Sequence, residues 1–282
     1  MNRSEIMSGI ESEQNELGDD LKFMLDLLSE GKTSDAMEIS DSLLERSRSP
    51  SERNHDIEAR VRLERALIGA VKEEEIGSEL RWCVDRLNAI SSGSSVHGLA
   101  LLNLATWHAN RGELMMSLAT HSEISINNGH PLDINSLSRL EVGRILSSMS
   151  DYGPAMRHLW SARSGFMELE MVPESIATSL EWLDLALDDI SKDSPTMASI
   201  IDDAKPRQGP GNTTTPSNPD DIASVVDYLF PILTHDLSGS SRIDIGLIIE
   251  ASEKIDRRVW RDALESRKGE IQDPNLLEEF QS

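Results

Sequence analysis

The stretch SDYGPAMRHLWSA, Ser150 to Ala162, decides the fold. Ser150-Asp151-Tyr152-Gly153 breaks a helix, and Pro154 suits the first turn of the next, where no N–H is needed. Ala155, Leu159, Ala162 and Phe166 then recur at helical spacing on one face. Twelve residues before Ala155 stands Gly143, in SLSRLEVGRILSSM, where Leu137, Leu140, Ile145 and Met149 mark another apolar face. The two segments read as a helical hairpin. Gly143 and Ala155 lack the bulk that would hold two antiparallel helices apart, while Ala162 and its larger neighbours are left to pack on the next hairpin.

The spacing recurs. Thirty-eight residues earlier, Ala105 is followed by Ser117 and Ile124, with Gly112 at the turn. Nearer the N-terminus, Met24, Ala36 and Leu43 repeat it around Gly31. Ala36 and Ser117 lie 81 residues apart, two steps of about 40, so a fourth copy is expected between them. Gly77 occupies its small-residue slot and Val84 lies seven further on. Arg65 stands where Gly143 stands, and the turn of this copy reads as charged, without glycine.

These residues resemble the tetratricopeptide repeat family in a long-period form. The match is best over 136–170, through Gly143, Asp151, Tyr152, Ala155, Leu159 and Ala162. It continues in 98–130 through Leu104, Ala105, Gly112, Leu114 and Ile124, and in 17–48 through Phe23, Gly31 and Ala36. The resemblance implies an all-α superhelix of five to six stacked hairpins, whose first helices line a concave groove that holds a segment of another protein. Carried onto this chain, it places Leu102, Thr106, Ala109 and Asn110, then Leu140, Arg144, Ser147 and Ser148, along that groove. The family's grip on a C-terminal carboxylate is not matched: Thr106 and Arg144 fill two of its asparagine slots, and both helices lack lysine.

Composition sets the partner class. Fifty acidic against 27 basic residues give a formal charge of −23, which repels nucleic acid and anionic lipid and favours a basic protein or peptide. Aromatic residues make up only 4%, so Leu, Ile, Met and Ala must carry the packing, which suits helices. Cys83 is the only cysteine and reads as a buried small hydrophobe, excluding an internal disulfide and a cysteine-rich metal site. The N-terminal segment has no apolar stretch of signal-peptide length and no segment approaches a membrane span, so a cytoplasmic location is expected. Asn212-Thr213-Thr214 then carries no weight as a glycosylation acceptor.

Residues 1–204 are expected to form the repeat domain, 205–220 a Pro/Gly-rich linker or insertion, and 221–282 a hairpin capping the stack. Pro173 starts a helix over 173–190, and Ser194-Pro195 a shorter one to Lys205. A helix interrupted or kinked at Pro231 follows, then the longest helix of this third, with Val259, Trp260 and Ala263 inward and its charged residues solvated. The tail with Leu276, Leu277 and Phe280 reads as frayed or folded back.

No catalytic constellation is legible. His108 and His121 are expected as a packed or hydrogen-bonded pair rather than metal ligands. Glu73, Glu74 and Glu75 suit a helix start. The GPGN of 209–212 lacks the strand and the Gly-Lys-Ser/Thr of a phosphate loop. No elbow motif anchors a nucleophilic serine. The tryptophans at 82, 107, 160 and 182 read as packing residues. The expectation is a non-catalytic interaction module with no cofactor or metal. The alternatives are a structural subunit of an oligomer and an all-α small-molecule binder or enzyme.

Overall fold

One backbone device ends helix after helix. At Gly31, Gly69, Gly112, Ser150, Glu170 and Asp256 the chain enters the left-handed region, with φ between 55 and 78°. The next residue's N–H turns back to a carbonyl five positions earlier: Lys32 to Leu27, Ala70 to Arg65, Glu113 to His108, Asp151 to Leu146, Met171 to Phe166 and Arg257 to Ser252. This satisfies end carbonyls that would otherwise be orphaned and sends the chain back along its own helix. Glycine adopts that conformation without cost, whereas an L-residue there is strained by about 1 kcal/mol. Glu170→Gly is therefore expected to raise stability by about 0.5–1 kcal/mol, measurable as a shift in urea midpoint. An unchanged or lowered midpoint counts against the strain.

The computed structural model describes residues 3–202 and 216–280, with 3–15 as backbone only. Among them the fold is all-α, without strands; a lone parallel bridge joins Ile190 to Ser217. The chain forms two compact units, Met1–Asn135 and Ser136–Ser282. Of the expected 205–220 segment, residues up to 215 lie outside the described residues, as do GPGN and Asn212-Thr213-Thr214.

The first unit runs through α1 (Arg3–Ser29), α2 (Thr33–Arg48), α3 (His55–Leu67), α4 (Glu73–Ser91), α5 (Ser95–Asn110) and α6 (Leu114–His121), each helix packed on its chain neighbour. A 3-10 turn, Ile126–Asn128, follows. α3 has two apolar faces: Ile57 and Val61 join Leu21, Met24 and Leu43, while Ala59, Leu63 and Ala66 join Leu80, Leu87 and Leu101. A helix buried on two faces is an inner member of a stack. The degenerate copy departs from expectation at its turn. Gly69 is there, at φ 78°, and the charged residues from Glu73 on already belong to α4. Arg65 sits in a glycine slot because its guanidinium leaves the hairpin: Nη1 donates to Ser40 Oγ at 2.7 Å and pairs with Asp41 on α2. Gly77 does make room, for the Trp107 ring of α5; a Cβ there would lie 2.8 Å from Cζ3 and nearer still to two other ring atoms.

The second unit takes most of α7 (Leu132–Ser148), then α8 (Tyr152–Glu168), α9 (Val172–Ala186), α10 (Met197–Asp202), α11 (Pro219–Leu233), α12 (Arg242–Lys254), α13 (Val259–Ser266) and α14 (Pro274–Glu278). Gly143 and Ala155 meet as the spacing requires: a Cβ on Gly143 would lie 2.8 Å from Leu159 Cγ and 3.3 Å from the Ala155 carbonyl oxygen. One core holds Phe166, Trp182, Val225, Leu229, Ile248, Trp260 and Leu276, so α11–α14 share their interior with α8–α10. α11 continues through Pro231 to Leu233, since a proline in the last turn removes a bond close to the helix end. The expected long helix after 242 is two helices, broken at Asp256 (φ 55°). That break delivers Trp260 into the core, where its Nε1 donates to Asp227 at 2.9 Å, and turns Val259 outward at 57% exposure. The tail folds back, with Leu276 buried and Leu277 and Phe280 packed on the core.

Candidate functional site

Three helices from separate parts of the chain build a concavity in the second unit. Ser241 opens α12 with a capping box: its hydroxyl takes the Asp244 N–H, and Asp244 takes the Ser241 N–H. Asp273 ties this start to that of α14, accepting the N–H of Arg242 at 3.0 Å and of Asn275 at 2.9 Å. Those two N–H groups hold its carboxyl below the ordinary aspartate range. α9 supplies the opposite wall with Leu180, Glu181 and Asp184.

The result is a groove of about 1150 Å³. Eight carboxylates line it, from Glu181, Asp184, Asp244, Glu250, Glu253, Asp273, Glu278 and Glu279, against one guanidinium, Arg242. Arg242 pairs with Glu279, Lys254 with Glu250 at 2.7 Å, and Arg261 with Glu253. Asp184 and Glu278 carry no ion pair among the described residues. Amid this charge Ile243 is 86% exposed, with Leu180 and Leu247 half-buried beside it. Gly246, inside α12, presents bare backbone: a Cβ there would meet only Arg242 Cγ, at an ordinary 3.6 Å.

The residues expected to bind a partner lie elsewhere. On α5, Leu102 and Ala109 are half-buried while Thr106 and Asn110 are exposed. On α7, Leu140 is 6% exposed and belongs to the core, so it is not available for docking; packing against the α8–α9 side outranks its assignment to an open face. Ser147 is half-buried, and Ser148 is exposed, its hydroxyl donating to the Ile145 carbonyl. Arg144 alone reaches the groove, through one of its walls. Its Nε and Nη2 grip Glu181 at 2.9 and 2.6 Å, and Nη1 donates to Glu141 at 2.7 Å. The Glu181 hydrogen bonds raise its pKa further above the ordinary arginine value.

No match with known proteins was found: no family model, curated protein or solved structure matches the chain.

The arginines of the first unit's basic cleft are paired with carboxylates. A cleft of about 300 Å³ in the first unit is lined by Arg48, Arg62, Arg65 and Lys72. Arg48 pairs with Glu58, Arg62 grips Glu79 through two bonds of 2.6 and 2.7 Å, and Arg65 pairs with Asp41. The Nδ1 of His108 lies 2.6 Å from Glu113 Oε2, and its Nε2 3.3 Å from Arg81. Among the described residues no three His, Cys, Asp or Glu side chains converge to hold a metal ion. Cys83 is buried and its Sγ donates to the Ala59 carbonyl at 3.5 Å. Burial pushes the thiol up to about 12, so it is no nucleophile.

One signal for the groove was present in the sequence. Ile243, Gly246, Glu250 and Glu253 recur along one side of α12 at helical spacing. What faces them, from the 180s and the 270s, follows no period.

Proposed function

We propose that the chain is a non-catalytic interaction module of the tetratricopeptide-like kind, and that it binds a basic, partly aliphatic protein segment in the α9–α12–α14 groove. The observation that carries this reading is the groove's composition: an excess of carboxylates around exposed Ile243, with a glycine backbone open toward the cavity. Lysine or arginine side chains answer the charge, and aliphatic ones cover Leu180, Ile243 and Leu247. Gly246 supports it further. A glycine inside a helix costs about 0.5–1 kcal/mol against alanine, and nothing in the protein's own packing requires this one. Close approach by a ligand backbone would require it. The repeat reading is supported by the Gly143–Ala155 contact and the double-faced α3. A cytoplasmic location goes with this proposal, and no described helix is long and apolar enough to cross a membrane.

The test is fluorescence anisotropy with a labelled ten-residue peptide of alternating lysine and leucine. Binding is expected, weakening as salt shortens the screening length below about 10 Å. Gly246→Leu projects into the groove from a position where the added Cβ makes only an ordinary 3.6 Å contact with Arg242 Cγ, and it should weaken binding by tenfold or more at unchanged thermal midpoint. Asp184→Lys with Glu278→Lys should do the same through charge. Equal affinity for wild type and both variants would remove the groove from the proposal.

A further inference from the structure

In the first unit two buried histidines, 33 residues apart in the chain, are stacked and hydrogen-bonded. His97, on the first turn of α5, is 4% exposed, and His130, just after the 3-10 turn, is 3% exposed. Their ring centroids lie 5.2 Å apart. His97 Nδ1 accepts the Gly93 N–H at 3.2 Å, which in the neutral ring puts the His97 proton on Nε2, buried without a partner among the described residues. The same Nδ1 then takes the His130 Nε2–H at 3.2 Å. His130 Nδ1 lies 3.3 Å from the Ser125 N–H, which it accepts in that form, and 3.2 Å from the Ser125 carbonyl oxygen, to which it would donate if it carried a proton.

The surroundings are built to seat this pair. Gly93 (φ 76°) and Gly129 (φ 93°) pass back to back, a Cβ on Gly129 falling 3.6 Å from Gly93 Cα. Gly98 backs the other ring: its Cβ would lie 3.1 Å from His130 Cδ2 and 2.5 Å from Ile134 Cγ2. Three glycines thus bring the α4–α5 turn, the start of α5 and the 125–130 segment to van der Waals distance around two imidazoles.

We propose that the His97–His130 pair is a pH-operated latch that holds the 125–130 segment on the α4–α5 turn and releases it in mild acid. His97 Nδ1 already faces two donors, so a proton placed there would set three N–H groups against one another and break both bonds at once. No compensating anion is close. The last turn of α4, Leu87 to Ser91, is uncharged, and Glu123 and Asp133, which flank the segment, make no ion pair with either ring among the described residues. Among the described residues His130 is the one titratable group that acts on His97. Burial first, and His130 second, hold His97 below its ordinary value near 6.5. A histidine whose folded pKa is depressed leaves stability intact above the unfolded value, and stability falls as pH drops below about 6.5 toward the folded value. The latch is therefore closed at neutral pH and opens below it.

Amide exchange by NMR on the full chain, corrected for intrinsic rates, tests this between pH 7.5 and 5. The opening equilibrium read at Gly93 and Ser125 should rise by up to about tenfold per pH unit below 6.5, the limit for one proton taken up. Leu101 and Leu104, deeper in α5, should keep their protection. The Gly93 amide shift should also move with the same midpoint as the His97 ring proton. Replacing both histidines with glutamine, which keeps polar contacts but does not titrate, should flatten the profile. Unchanged protection at pH 5, a Gly93 shift that ignores His97, the same pH response in the double variant, or simultaneous loss at Leu101 and Leu104 would each overturn the latch.

Discussion

Replacing Gly93 with alanine is expected to destabilise the first unit by on the order of 3 kcal/mol. Two costs coincide there. The backbone stands at φ 76°, which an L-residue reaches only with strain, and the new Cβ would lie 3.1 Å from Gly129 Cα and closer still to the Asn128 carbonyl oxygen. Both obstacles are backbone, so no side-chain rotation relieves them. Gly112→Ala is the control. It has the same φ, 75°, but no atom within 4 Å of the added Cβ, so only the conformational cost of about 1 kcal/mol applies. Urea unfolding followed by circular dichroism separates the two. Equal losses would show that the Gly93–Asn128 approach yields easily.

The second large effect is expected at Trp182, which is fully buried in the core of the second unit. Its ring meets that of Trp160 edge-on, with centroids 4.9 Å apart at 63°. Trp182→Ala removes a fully buried tryptophan and leaves a cavity that the surrounding helices can close only in part, a loss of about 3–5 kcal/mol. Trp182→Phe should cost distinctly less. It keeps an aromatic ring against Trp160 and removes an indole N–H that has no partner among the described residues. If the two variants unfold at the same urea concentration, ring packing is not what Trp182 contributes.

The parts of the fold that were legible in the sequence are those where backbone meets backbone. Gly143 and Ala155 could be read because a close helix crossing admits only small residues, and that restriction shows in one sequence. Gly77 could be read as a small slot, but not its occupant, because the Trp107 ring arrives from α5 rather than from the hairpin partner α3. Asp256 hid a helix end, since a left-handed residue other than glycine leaves no mark. Gly69 is masked in the sequence by the charged run from Glu73, which reads as a turn although it already belongs to the next helix. Leu140 was assigned to an open face by analogy with the repeat, and local periodicity does not say which neighbour covers an apolar face. The groove and the histidine pair share one reason for being missed. Each is assembled from separate segments of the chain, with no spacing rule linking Asp184 to Glu278 or His97 to His130.

The lone thiol of Cys83 has a practical consequence. With its sulfur sealed inside the first unit and its pKa pushed up to about 12, the native chain should ignore an alkylating reagent until that region opens. There is no second cysteine to confuse the signal. The rate at which a single label appears is then a stopwatch on the first unit alone, whereas tryptophan fluorescence sums both units, with Trp82 and Trp107 in the first and Trp160, Trp182 and Trp260 in the second. One unmodified molecule thereby carries a reporter confined to its first half.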